Sequence, residues 1–185
     1  MKRLRIAVAL TLFAAGAARA EVTALEPQGF TIVERFEIAA SPAEVFAAAT
    51  GDVSGWWDHS FSGTPQSLIL EPRPGGHFTE TFEGGGARHA TVIYVKAPNA
   101  LRFEGPLGLS GSAVSFVTTY DIQPAANGAS MTVTVNAAGQ IDDATARAVA
   151  GVWRHFIGER LKPYVEAGCH RDRSQPCAAF TAAKP

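Results

Sequence analysis

One carboxylate has the surroundings that acid–base chemistry requires. Glu80 lies two positions after Phe78 and two before Phe82, and alternation would put all three side chains on one face of a strand. A carboxyl group in an apolar cleft has a raised pKa and can act as a general acid or base. One hypothesis is therefore an enzyme of cyclase or hydrolase type, which predicts an elevated pKa for Glu80 and loss of turnover in Glu80→Gln. A buried ion pair of Glu80 with Arg88 or His89 is the structural alternative. No catalytic residue is assigned.

The histidines do not suggest a metal centre. The chain has five of them, and no two have the HxxxH spacing that places ligands on one helix face. A hairpin centred on Gly85 would place His77 and His89 about 13 Å apart along the ladder, too far to share an ion. The run Gly84–Gly86 precedes a strand and not a helix, so it is a turn and not a phosphate cradle. We therefore expect neither a metal nor a cofactor.

Aromatic side chains on several predicted elements could line a common cavity. Trp57 and Phe61 are expected at its mouth, and Trp153 on a helix should face the aromatic residues of the strands. The alternative is that these side chains simply form the core, where large aromatic residues usually lie. The candidate pocket residues are Trp57, Phe61, Phe78, Glu80, Phe82, Phe103, Phe116, Tyr120, Trp153 and Phe156.

A meander of strands would position these residues. Two short helices are predicted after the first strand, over Pro42–Thr50 and Val53–Asp58. Ser41 is the N-cap of the first helix, which has Pro42 at its first position and Glu44 two residues later. Short connections rich in Gly, Pro and Asn favour antiparallel neighbours. The predicted strands are Phe30–Ile38, Leu68–Glu71, His77–Glu83, Ala87–Lys96, Ala100–Glu104, Val114–Ile122 and Ser130–Asn136.

A long C-terminal helix is predicted between Asp142 and Gly168. Its apolar residues recur at three- and four-residue spacings, and Asp142 supplies negative charge at the N-terminus. Pro163 should kink or tighten its last turns. A curved antiparallel sheet of six to seven strands around this helix gives an α+β domain over residues 21–168.

Residues 1–20 have the features of a signal peptide. A positive start is followed by the apolar run Ile6–Ala18, which is too short to span a bilayer, and by the small residues Ala18 and Ala20. An uncleaved anchor is the alternative. Cleavage before Glu21 predicts a periplasmic or secreted protein without a membrane span. It leaves 12 basic and 17 acidic residues, a net charge of −5 that argues against nucleic acid as a partner.

Both cysteines lie in the tail, residues 169–185. In an oxidising compartment Cys169 and Cys177 are expected to form a local disulfide. A zinc site is the alternative, but only His170 is close by, and zinc requires four ligands. The composition of the tail predicts that it is loosely ordered.

Several motifs occur in an order typical of one fold. Ser41–Phe46, the pair Trp56–Trp57, the turn Glu71–Phe78 and the stretch Thr91–Phe103 resemble the helix-grip fold of the SRPBCC superfamily, which includes START and plant-allergen-like proteins. Together they look like the branch named after the activator of the heat-shock ATPase, grouped with polyketide cyclase-like proteins. The resemblance covers Phe30–Gly168.

The resemblance implies a cavity between the concave face of the sheet and the long helix, with an apolar or aromatic small molecule as its ligand. It implies no shared catalytic residues, and export argues against a cytosolic co-chaperone role. A binding protein is therefore the expected function. The alternatives are the enzyme described above and an envelope protein-interaction module with an exposed apolar patch.

Overall fold

The computed structural model describes residues 28–181. The predicted signal peptide lies outside this range. Within residues 28–181 no helix combines the length and apolarity needed to cross a membrane.

Eight strands form one antiparallel sheet, with the order β1-β8-β7-β6-β5-β4-β3-β2. Consecutive strands from β2 to β8 are neighbours, and β1 pairs with the outer side of β8. The prediction of an α+β fold with a curved antiparallel sheet and a C-terminal helix is confirmed. The strands are β1 (Gln28–Ile38), β2 (Gly51–Asp52), β3 (Ser67–Leu70), β4 (His77–Phe82), β5 (Gly85–Lys96), β6 (Ala100–Gly105), β7 (Val114–Ala125) and β8 (Gly128–Gly139).

Alternation along the strands builds the core. In β7, for example, Phe116, Thr118, Tyr120 and Ile122 are all buried, whereas their neighbours are more exposed. The inward side chains pack against α1 (Pro42–Ala49) and the C-terminal helix. The concave face of the sheet is therefore covered by helix.

The C-terminal helix changes its winding along its length. It comprises α2 (Asp143–Arg154), a π-helical segment (His155–Leu161) and α3 (Lys162–Glu166). The N–H of Lys162 donates to the carbonyl of Ile157, five residues back. Pro163 has no N–H, so the usual bond to the carbonyl four residues back is lost. The helix before Pro163 is π-helical and therefore wider, not tighter, so that part of the prediction is wrong for residues 155–161; the alternative of a kink stays a prediction.

Two short elements differ from the prediction. The second short helix, predicted over Val53–Asp58, is instead a single turn in which the N–H groups of Trp56 and Trp57 both donate to the carbonyl of Val53. Both adjacent indoles are buried there, whereas adjacent positions of a helix point in different directions. Strand β2 was not predicted. It is only two residues long, too short to show an alternating pattern.

The β4–β5 hairpin has another register than predicted. Phe82 pairs with Gly85, so the turn precedes Gly85 and is not centred on it. A bulge opposite Phe78 leaves His89 without a partner in the ladder. As a result, the consecutive residues His89 and Ala90 are both buried.

The tail is tied to the domain. The predicted disulfide between Cys169 and Cys177 is present, with Cα atoms 5.3 Å apart. The Arg173 guanidinium donates to the carbonyls of Asp52 at 2.6 Å and Ala47 at 2.8 Å. The prediction of a loose tail is thus wrong for residues 169–181, because the Arg173 guanidinium binds one carbonyl of α1 and one of β2.

Candidate functional site

An open pocket with a volume of about 480 Å³ lies beside the C-terminal helix. Its walls come from β5, β7, the segment 57–61, the turn Leu107–Leu109 and the helical residues 145–156. Most of the lining side chains are aromatic or aliphatic.

Half of the predicted pocket residues line it. These are Trp57, Phe61, Phe116, Trp153 and Phe156. Four others, Phe78, Glu80, Phe103 and Tyr120, are buried outside the lining. Phe82 is half-buried near the hairpin turn, with its ring next to Gly85. A ligand contact for any of these residues stays a prediction.

Trp57 joins several aromatic side chains in and behind the pocket wall. Its indole stacks on Phe156 with ring centroids 3.9 Å apart and meets Phe78 edge-on at 4.9 Å and Trp153 at 6.2 Å. Aromatic pairs in these geometries contribute about 0.5–1.5 kcal/mol each beyond their buried area. Trp57 therefore links the segment after α1 to the C-terminal helix; its expected place at the mouth of the pocket stays a prediction.

Glu80 holds the loop that contributes Phe61 to the pocket lining. Its side chain is fully buried and accepts hydrogen bonds from the N–H of Phe61 at 2.9 Å, and from the N–H and hydroxyl of Ser62 at 3.2 and 3.0 Å. Burial by itself raises the pKa of Glu80, but these bonds and the one from His89 together hold the pKa below 4.5. The elevated pKa expected of Glu80 as a general base is therefore not found, and the carboxylate positions the loop; the enzyme alternative stays a prediction.

His89 is the polar side chain that this carboxylate orients towards the pocket. Its Nε2 lies 3.2 Å from the Glu80 carboxylate, so the structural alternative for Glu80, pairing with His89, is present as a hydrogen bond. Its ring stacks on Phe61 at 5.2 Å and lies 4.8 Å from Phe78. His89 also lines the pocket. It was not predicted to do so, because a bulge cannot be read from alternating residues.

Two buried hydroxyls lie elsewhere on the concave face. Thr118 and Tyr120 are inward residues of β7, and neither hydroxyl has a hydrogen-bond partner within residues 28–181. Burial raises the pKa of Tyr120. The ring of Tyr120 packs edge-on against Phe103 at 5.3 Å and Trp153 at 6.1 Å. Both residues therefore belong to the core between the sheet and the helix.

A charged cluster at the edge of the pocket is centred on Asp58. Its carboxylate lies 3.0 Å from Nδ1 of His59, 2.8 Å from Nε2 of His155 and 3.2 Å from Nε of Arg160. The two histidines and Asp58 bring three ligand-type atoms within 4.8 Å of one another, a grouping that the sequence spacing did not suggest. The Arg160 guanidinium occupies the same carboxylate, so the geometry is that of an ion-pair network.

This network makes stability depend on pH in a defined direction. Hydrogen bonds to Glu159 and Asp58 raise the pKa of His155 above 6.5. The stabilisation of the fold by protonated His155 is therefore present below pH 6.5 and is lost as the pH rises through the raised pKa of His155. We expect His155→Gln to lower the free energy of unfolding by on the order of 0.5 kcal/mol at about pH 6 and by less at about pH 9. Urea denaturation at both pH values measures this; an equal effect at both would contradict it.

Residues 29–166 match a family model described as polyketide cyclase / dehydrase and lipid transport. A comparison with curated proteins finds no match.

Solved structures share the fold at low sequence identity. An uncharacterised protein from Rhizobium leguminosarum is 18% identical, with a TM-score of 0.56 over 76% of this chain and 97% of that one. An AHSA1-like protein from Aeromonas hydrophila is also 18% identical, with a TM-score of 0.54 over 76% and 95%. DynU16, from the dynemicin biosynthetic locus, is 20% identical with a TM-score of 0.55, and the match covers 75% of this chain and 48% of DynU16. These likenesses confirm the helix-grip fold.

Proposed function

Because the chain belongs to the polyketide cyclase / dehydrase and lipid transport family, we propose that it is an exported binding protein for an apolar or aromatic small molecule. The ligand lies in the pocket beside the C-terminal helix.

The composition of the pocket walls carries this proposal. Aromatic rings from the segment 57–61, from β7 and from the C-terminal helix meet around a volume of about 480 Å³. Small-molecule sites are mostly apolar clefts of about 300–1,000 Å³ with few polar groups. The family description, with its lipids and polyketides, supports a largely apolar ligand.

Two features support export. Residues 1–20 have the charge and apolar pattern of a signal peptide. The Cys169–Cys177 disulfide fits an oxidising compartment. The proposed site of action is the periplasm or the extracellular space.

Native mass spectrometry of the protein purified from its own cells tests the proposal directly. We expect a bound mass that disappears on denaturation and reappears in an organic extract of the same sample. A protein that carries no such mass and binds no apolar probe would contradict the proposal. Amino-terminal sequencing of the secreted or periplasmic fraction tests export, with Glu21 as the expected first residue.

Filling the pocket should weaken binding without unfolding the protein. Ala148 lines the pocket from α2, and Ala144 lies one turn earlier on the same exposed helix surface outside the lining. We expect Ala148→Trp to weaken binding of anilinonaphthalene sulfonate by about tenfold, which corresponds to about 1.4 kcal/mol. Ala144→Trp is the matched control and should leave the affinity unchanged. Fluorescence titration measures the affinity of both variants for the probe. Equal losses of affinity in the two variants would show that the probe binds outside the pocket.

A further inference from the structure

We propose that Nδ1 of His89 is the recognition point of the pocket and accepts a hydrogen bond from a hydroxyl or N–H group on an otherwise apolar aromatic ligand. This inference rests on the proposed function and names the class of ligand: a phenol-like molecule, and not a hydrocarbon or an ether.

The hydrogen bonds around Glu80 determine which ring nitrogen of His89 carries the proton. The carboxylate accepts two backbone N–H groups and one hydroxyl from the loop, at 2.9, 3.2 and 3.0 Å. Such a carboxylate is ionised and can only accept from a fourth neighbour. Nε2 of His89, 3.2 Å away, therefore carries a proton, and in an imidazole protonated at Nε2 the other nitrogen, Nδ1, is the acceptor.

The surroundings of His89 leave this acceptor to a ligand. The residue is 4% exposed and lines the pocket. Within the described part of the chain, the Glu80 contact is its only side-chain hydrogen bond. With Nε2 turned to Glu80, the Nδ1 edge is the part of the ring left for a ligand. A donor on the ligand that reaches this nitrogen adds a hydrogen bond, which contributes about 0.5–1.5 kcal/mol.

Three other polar side chains of the lining have partners of their own. His59 is bound to Asp58 and is mostly exposed. The Ser60 hydroxyl accepts from the N–H of Gly63, and the Thr145 hydroxyl donates to its N-cap residue. Trp57 and Trp153 offer only indole N–H donors, so among the lining side chains that the structure describes His89 combines deep burial with a ring nitrogen free to accept.

The aromatic walls of the pocket determine what the rest of the ligand should be made of. Phe61 stacks parallel to the His89 ring, with an interplanar angle of 10°, and Trp57 stacks on Phe156. These stacked pairs make the pocket lining around His89 aromatic, which suits an aromatic ligand body. One donor group on an aromatic body therefore satisfies the chemistry of the site.

Matched ligands with and without the donor test the inference. Isothermal titration of the wild-type protein with α-naphthol and with α-methoxynaphthalene compares a hydroxyl with its methyl ether on the same ring system. We expect α-naphthol to bind about tenfold more tightly or better, because a site that pairs a hydroxyl rejects an analogue that lacks it. Equal affinities would overturn the inference but leave the proposed function standing. Binding of neither ligand would overturn both.

Variants of His89 assign the preference to its ring. His89→Phe keeps an aromatic ring next to Phe61 and removes the acceptor, so we expect it to bind both ligands with similar affinity. His89→Gln retains one donor for Glu80 and one acceptor, and should keep part of the preference for α-naphthol. A preference that is unchanged in a folded His89→Phe protein would overturn the inference. If His89→Phe does not fold, a reduced preference in His89→Gln supports the inference, and an undiminished preference counts against it.

Discussion

Replacing Glu80 with alanine is expected to lower the free energy of unfolding by about 3–5 kcal/mol. The carboxylate is the common acceptor for the N–H groups of Phe61 and Ser62 and for Nε2 of His89. Its removal leaves the buried Nε2–H of His89 and the part-buried N–H groups of Phe61 and Ser62 without this acceptor, and an unpaired buried donor costs more than the net value of an ordinary hydrogen bond. Urea denaturation at neutral pH measures the effect.

The size of this loss of stability distinguishes a buried carboxylate that holds a loop from a charge on the surface. Glu83 belongs to the same hairpin but is exposed, so Glu83→Ala should change the free energy of unfolding by no more than about 0.5 kcal/mol. Glu80→Gln keeps the shape and one acceptor and should cost about 2 kcal/mol. Similar values for Glu80→Ala and Glu83→Ala would show that the loop does not depend on the carboxylate.

The same residue predicts acid sensitivity. The pKa of Glu80 is held below 4.5, so the folded protein binds its proton more weakly than the unfolded chain. The stabilisation of the fold by ionised Glu80 is therefore present above pH 4.5 and is lost as the pH falls through the lowered pKa of Glu80. The stability difference between the wild type and Glu80→Gln should shrink over that range.

Local patterns were enough to predict much of this fold. The capping residues Ser41, Pro42 and Glu44 identify α1, and all three take the expected roles. Alternation identifies β7, and the three- and four-residue spacing around Trp153 identifies the C-terminal helix. These signals succeed because each depends on neighbours within one turn or one strand.

The details of the site depend on features without a local signal. The bulge that buries His89 next to Ala90 is an extra residue in one strand, and a simple alternating pattern does not reveal it. His155 and Asp58 are 97 positions apart and meet only when the C-terminal helix packs over the segment after α1. The aromatic residues of the candidate pocket were identified by type, but the sequence could not divide them between the lining and the core.

Trp153 belongs both to the core and to the pocket lining, and its replacement is expected to have the second large effect on stability. We expect Trp153→Ala to lower the free energy of unfolding by about 3–5 kcal/mol. The indole is 2% exposed and contacts Trp57, Tyr120 and Phe156 edge-on at 6.1–6.2 Å. It also lines the pocket, so the cavity left behind is continuous with the ligand site.

An apolar guest should partly replace the missing side chain. Dry apolar cavities bind small aromatic molecules, and a ligand that binds only the folded state raises stability by mass action. Indole is therefore expected to raise the melting temperature of Trp153→Ala by more than that of the wild type, as thermal denaturation with and without indole would show. Tyr94→Ala, at a residue that is 43% exposed, is the control and should cost no more than about 1 kcal/mol without a response to indole. If Trp153→Ala is destabilised but gains no more from indole than the wild type, the indole of Trp153 belongs to the core alone and does not form a wall of the ligand site.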